Sequence, residues 1–158
     1  MNGYLLVKWL HIVSSVVLVG TGFGSAFYLF FANRSASLEA RAVVARLVVR
    51  ADLWFTTPAV IAQPLSGIWL AHTAGWPLST PWLLASLLLY ALAGACWLPV
   101  LRLQLKMARE VEAALVERRQ LSGQYRRWQR AWELLGYPAF AAMLAVSFLM
   151  VNKPALWG

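Results

Sequence analysis

Residues 82–105 read WLLASLLLYALAGACWLPVLRLQL. Only Arg102 in that run is charged, and it stands near the end. At ~1.5 Å rise per residue, a helix of this length reaches about 36 Å, which covers the ~30 Å of a bilayer's hydrocarbon. Water would be the wrong solvent for such a segment. In lipid a helix satisfies its own backbone groups, so the run predicts a membrane-crossing helix. The alternating ~10-residue segments of an outer-membrane barrel do not occur.

Three further stretches behave alike, at about 4–32, 53–73 and 132–151. The composition agrees: 61% of the 158 residues are hydrophobic and 13% are charged, against about 25% charged in soluble domains. Mean hydropathy is +0.62. The first apolar run continues far beyond the ~7–15 residue core of a signal peptide, with no small-residue cleavage site after a short core. It reads as a retained helix. Residues 1–158 are thus expected to form one transmembrane domain, an all-α four-helix bundle.

Two amphipathic cytoplasmic helices are expected beside the spans. One covers 38–52, before the second span, where Thr56 and Thr57 before Pro58 read as a helix start. The other lies within the polar segment 108–130, broken at Ser122-Gly123. Gly75, Pro77 and Pro81 mark a tight loop between the second and third spans, making those helices antiparallel neighbours. Pro64, Pro99 and Pro138 fall inside apolar runs and are expected to kink them.

Charge sets the orientation. Twelve of the fourteen basic residues lie at Arg34–Arg50 and Arg102–Arg130. By the positive-inside rule both segments are cytoplasmic and both termini outside. The net charge of +8 is then a topology signal. Nucleic-acid binding is excluded as a function, because the basic residues flank spans rather than a folded reading surface. Asp52 beside Arg50 reads as a local ion pair. The single cysteine, Cys96, excludes an intrachain disulfide and reads as a small buried residue.

Few polar groups lie within the spans. His11 falls about seven residues into the first, and His72 closes the second, so both histidines occupy the outer half. Imidazole is a ligand of haem iron and equally an interhelical hydrogen-bonding group. Lys8, one turn from His11, either snorkels to the headgroups or pairs with a carboxylate such as a haem propionate. Gly20 and Gly24 make a GxxxG pair, which suits close helix packing and also leaves room for a macrocycle. Gln63 needs a partner, and Pro64 frees the Val60 carbonyl beside it. Met143 and Met150 are core residues or second axial ligands. No nucleophilic triad, carboxylate pair or phosphate loop is present.

Lys8-x-x-His11, the "AFYLFF" closing the first span, "FTTP" entering the second and "WLLASLLLYALAG" in the third resemble HemJ-type protoporphyrinogen oxidases and CopD-like copper-resistance proteins. "TTPAVIAQPLSGIWL" and "GACWLPVLRLQLKM" resemble a bacterial family of predicted four-helix integral membrane proteins. The HemJ resemblance implies haem b on His11, with Lys8 beside it. It supplies no second ligand, because Ala59 and Val60 stand where that pattern has Gly-Met, and no lysine occurs in "WLLAS". His11 and His72 are the metal-ligand candidates, and Gln63, Gly20 and Gly24 would complete a cofactor site. The expected role is electron transfer or porphyrin-linked redox chemistry, as an oxidoreductase with a quinone or respiratory-complex partner. The alternatives are a cofactor-free structural or assembly subunit and a copper-handling protein, and a homodimer could gather ligands from two chains.

Overall fold

The computed structural model describes residues 2–156. Five α-helices follow one another: α1 Gly3–Ala32, α2 Leu38–Ala51, α3 Thr57–Thr73, α4 Pro81–Val116 and α5 Gly123–Asn152. A π-helical turn, Asp52–Thr56, joins α2 to α3. There is no strand among the described residues. The all-α four-helix reading holds. Helices α1, α4 and α5 are long and apolar enough to cross a membrane, and α3, with 17 residues, is the shorter fourth.

Local chemistry sets the ends. The Asn2 side chain accepts a hydrogen bond from the Tyr4 amide, and Ser37 accepts one from that of Ala40. Each satisfies an orphan donor of a first turn. Gly75, at φ +75°, takes the left-handed position after α3. The Trp76 amide then donates back to the Ala71 carbonyl at 2.9 Å, closing the helix.

The entry to α3 differs from the sequence reading. Thr56 keeps helical dihedrals and caps nothing. Instead its hydroxyl donates to Asp52 Oδ1, and the Thr57 hydroxyl to the Asp52 carbonyl, each at 2.8 Å. The chain stays helical from α2 into α3. A proline ring meets the carbonyl four residues back in an ordinary α-helix, and the wider π turn lies on the five residues before Thr57 and Pro58. Nor does Asp52 pair with Arg50. Asp52 is buried and Arg50 is exposed.

The polar segment 108–130 is also corrected. It forms no separate helix between the third and fourth spans. Its first half extends α4 to Val116 and its second half begins α5 at Gly123. The turn between them closes on Arg118 at φ 50° and on an Arg119 amide donating to Ala114 O at 3.0 Å. Pro64, Pro99 and Pro138 all lie inside continuous helices.

The helices pack as two antiparallel pairs, α1 with α3 and α4 with α5, which touch each other only thinly. Helix α2 closes one end by lying on α4 and α1. Its buried Ala42, Ala45 and Val48 meet Met107, Ala108 and Val111 of α4 there, in the main apolar core. Ion pairs cross the same end, Arg34–Glu133 at 3.1 Å and Arg46–Glu112 at 3.6 Å. The two basic segments therefore meet at one end of the bundle. Elsewhere large apolar side chains face outward, Val16 68% and Leu65 66% exposed among them. That surface suits hydrocarbon rather than water.

Candidate functional site

Two features are built between the helices. The first is a polar seam between α1 and α3. His11 Nδ1 lies 2.7 Å from Ser66 Oγ. The Ser66 hydroxyl also lies 2.5 Å from the Ala62 carbonyl one turn back, to which it donates. A hydroxyl has one proton. With that proton on Ala62, Ser66 accepts from His11, which fixes the Nδ1–H tautomer and leaves Nε2 as a bare lone pair. Gln63 Nε2 donates to the His11 carbonyl at 2.7 Å and to Ser14 Oγ. The imidazole lies against Gly67, where a Cβ would stand 3.1 Å from His11 Cε1.

The other sequence candidates are not gathered here. Lys8 is exposed on α1. His72 is exposed at the end of α3, five residues past Gly67 and so about 7 Å further along the axis. Gly20 and Gly24 seat no helix of this chain, since a Cβ on either meets nothing within 4 Å. The close approach belongs to Gly67. Its sequence signal was small residues one turn after Gln63, on the same face. Met150 packs on Ala71, Trp82 and Leu83 at the far end. The Val60 carbonyl freed by Pro64 accepts from the Tyr90 hydroxyl at 2.7 Å.

The second feature is a cleft between the two helix pairs, with a cavity of about 420 Å³. Its walls carry Phe23, Phe27, Phe30, Tyr90, Trp97, Trp132 and Phe140, with Met143 among them. Phe23 of α1 stacks on Phe140 of α5 at 5.1 Å. At the end nearest α2 the walls become polar, with Asp52, Thr56 and Gln104. Asp52 is 3% and Gln104 5% exposed. Asp52 Oδ2 and Gln104 Oε1 have no hydrogen-bond partner.

Residues 5–154 match the model of a family described as predicted integral membrane protein, DUF2269. The chain belongs to this family. No curated protein and no solved structure matches it. Family membership makes the chain an integral membrane protein, with the bilayer as its solvent. The geometry of this DUF2269 chain then sorts the chemistry. His11 offers one nitrogen lone pair, on α1. The cleft begins at Leu18, about 10 Å further along that helix, and among its walls Met143 is the only His, Cys or Met side chain. A haem inside the cleft would lack an imidazole, and the Met143 thioether and the Tyr90 and Tyr137 hydroxyls are the side chains there of a kind that ligates haem iron. Among the described residues no three His, Cys, Asp or Glu side chains cluster for a metal.

Proposed function

We propose that this DUF2269 protein is a ligand-binding protein of the bacterial inner membrane, which takes a small apolar molecule from the bilayer into the cleft between α1–α3 and α4–α5. The aromatic-walled cavity of about 420 Å³ carries this reading. It lies within the ~300–1,000 Å³ range of small-molecule sites, and its rim residues Phe27 and Phe31 are half exposed. A ligand entering from lipid never crosses water. The convergence of both basic segments at one end supports the orientation, with that end cytoplasmic and the termini outside.

The test is extraction of the purified protein with organic solvent and mass spectrometry of what is released. Gly136 lines the cavity, and a Cβ there meets nothing within 4 Å. Gly136→Leu therefore adds a bulky side chain to the cavity wall at a position where its Cβ has open space. The wild type is expected to release a small apolar compound at near one per chain, and Gly136→Leu to lose it. Equal recovery from both overturns the proposal.

A second reading is favoured by the bare Nε2 of His11. An imidazole whose Nδ1–H is already bonded is the form that ligates iron. The HemJ resemblance of Lys8 and His11 adds haem b as the group, and electron transfer with a quinone or respiratory complex as the role. His11 would be the residue to hold that haem, with Lys8 one turn away on the same helix. Oxidised and dithionite-reduced absorption spectra decide it. A Soret band lost in His11→Ala supports the haem reading. A protein that stays colourless after haem is supplied leaves His11 as an interhelical hydrogen bond.

A further inference from the structure

We infer that a second pocket, between the α1–α2 turn and the α4–α5 turn at the basic end of the bundle, binds an anionic phosphate ester through Arg41 and Arg126. It is separate from the cleft and does not rest on that reading. The cavity is about 440 Å³, and no acidic side chain lines it. Three arginines do, Arg41, Arg119 and Arg126. They differ in how they are held. Arg119 is already matched by Glu110 and Glu117. Arg41 is half-buried and gives Nε and Nη2 to the Ser35 carbonyl, at 2.9 and 2.5 Å. A carbonyl is neutral, so it orients the guanidinium and leaves its charge unpaired, with Nη1 uncommitted. Arg126 is exposed. Among the described residues neither Arg41 nor Arg126 makes an ion pair.

Two unpaired guanidinium groups on one pocket favour phosphate. Each carries N–H donors in a planar fork that matches phosphate oxygens, and a half-buried charge gains from a partner of opposite sign. Ser122 adds a hydroxyl. It lines the pocket at the start of α5 and makes no side-chain cap bond. That helix end is the positive end of its dipole, and its first turn holds no acidic residue. Leu38 and Leu121 give the pocket an apolar side, which suits an esterified carbon stem over a bare phosphate ion. Depth points the same way. Asn33, the residue that follows α1, lines the pocket too, so the pocket lies where α1 leaves the hydrocarbon. Basic pockets between membrane helices at headgroup level take acidic lipid heads. A soluble phosphate ester would meet the same two guanidinium groups from the water side.

The test is native mass spectrometry of the detergent-purified full chain, titrated with phosphatidylglycerol and, separately, with phosphatidylcholine. One phosphatidylglycerol per chain is expected to bind more tightly than phosphatidylcholine, whose choline cancels the phosphate charge. Arg41→Gln and Arg126→Gln are each expected to weaken it about fivefold, the effect of one basic side chain at a lipid headgroup. Arg127→Gln removes the same charge from the next residue, which does not line the pocket, and is expected to leave binding unchanged. Glycerol 3-phosphate is the soluble competitor. Displacement of the lipid by micromolar glycerol 3-phosphate would identify a free ester as the ligand, and lipid retained against millimolar competitor would identify the lipid head. Phosphatidylcholine binding as tightly as phosphatidylglycerol overturns the anion site. A loss in Arg127→Gln equal to that in Arg126→Gln overturns the pocket and assigns the binding to general surface charge. Arg41 also ties down the α1–α2 turn through Ser35, so Arg126→Gln keeps the inference falsifiable if Arg41→Gln does not fold.

Discussion

The Ser66 hydroxyl stands 2.7 Å from His11 Nδ1 and directs its own proton to the Ala62 carbonyl. This arrangement predicts that the imidazole proton of His11 sits on Nδ1. Nitrogen-15 NMR of the histidine side chain reads this directly. The wild type is expected to show a protonated Nδ1 and a bare Nε2 at His11. Ser66→Ala removes the acceptor and should return the ring to a tautomer mixture. An unchanged spectrum in Ser66→Ala would mean that the serine does not set the tautomer.

The same seam sets how closely α1 and α3 approach. A Cβ on Gly67 would stand 3.1 Å from His11 Cε1, so Gly67→Ala must push the ring or the helix outward. Overpacking of this kind costs about 1–3 kcal/mol. Gly20→Ala and Gly24→Ala meet open space and should stay within ~0.5 kcal/mol of wild type. Unfolding in mixed micelles with rising dodecyl sulfate measures all three. Destabilisation at Gly20 comparable to that at Gly67 would place a packing partner on the other face of α1.

How far the sequence was legible depends on what each feature needs. The spans needed only a solvent argument, and 82–105 was enough to start it. The convergence of the basic segments followed from a charge rule that acts on each loop separately. The ends were harder, because they depend on pairings remote in sequence. Thr56-Thr57-Pro58 has the form of a cap, yet both hydroxyls turn back to Asp52 within a π turn. Residues 108–130 read as a helix of their own, yet α2 and the chain reversal at Arg118 absorb them into α4 and α5. His11 and Gln63 were visible as polar groups in lipid, and the structure joins them through Ser14 and Ser66, whose small hydroxyls carry no signal alone. The cleft was the least legible. It is a gap between two helix pairs, and a gap has no residue of its own.

At the α2 end the Tyr125 hydroxyl donates to Asn33 Oδ1 at 2.5 Å, with Tyr125 1% and Asn33 4% exposed. Tyr125→Phe leaves the Asn33 side chain buried with no partner, since its Nδ2 already has none. The expected cost is about 1–3 kcal/mol, the desolvation of an unpaired amide. Adding Asn33→Leu removes the orphan and should recover most of that loss. A double-mutant cycle in the dodecyl sulfate titration measures the coupling, and additive losses would show that the pair does not interact.

The turn between α4 and α5 should carry an acid-sensitive latch. Glu110, on the polar extension of α4, accepts from Arg119 Nη1 at 2.9 Å and from the Ser122 amide at 3.0 Å. These bonds, the Arg119 one first, hold its carboxyl at about 2, below its ordinary value of 4.5. A carboxyl depressed in the folded state favours folding fully above its unfolded value and loses that contribution as pH falls toward its folded one. The turn should therefore be firm at pH 7 and loosen between about 4.5 and 2. Because Arg119 is solvated, the contribution is that of a screened surface pair strengthened by one backbone bond. Hydrogen exchange at residues 117–122 is the measurement. Wild type is expected to gain exchange, corrected for the intrinsic rate, as pH is lowered through that window. Glu110→Gln should exchange as fast at pH 7 as the wild type does at pH 2.5, with little further change on acidification. A wild-type turn equally protected at both pH values would assign its closure to its backbone bonds, the Arg119 amide–Ala114 carbonyl bond among them.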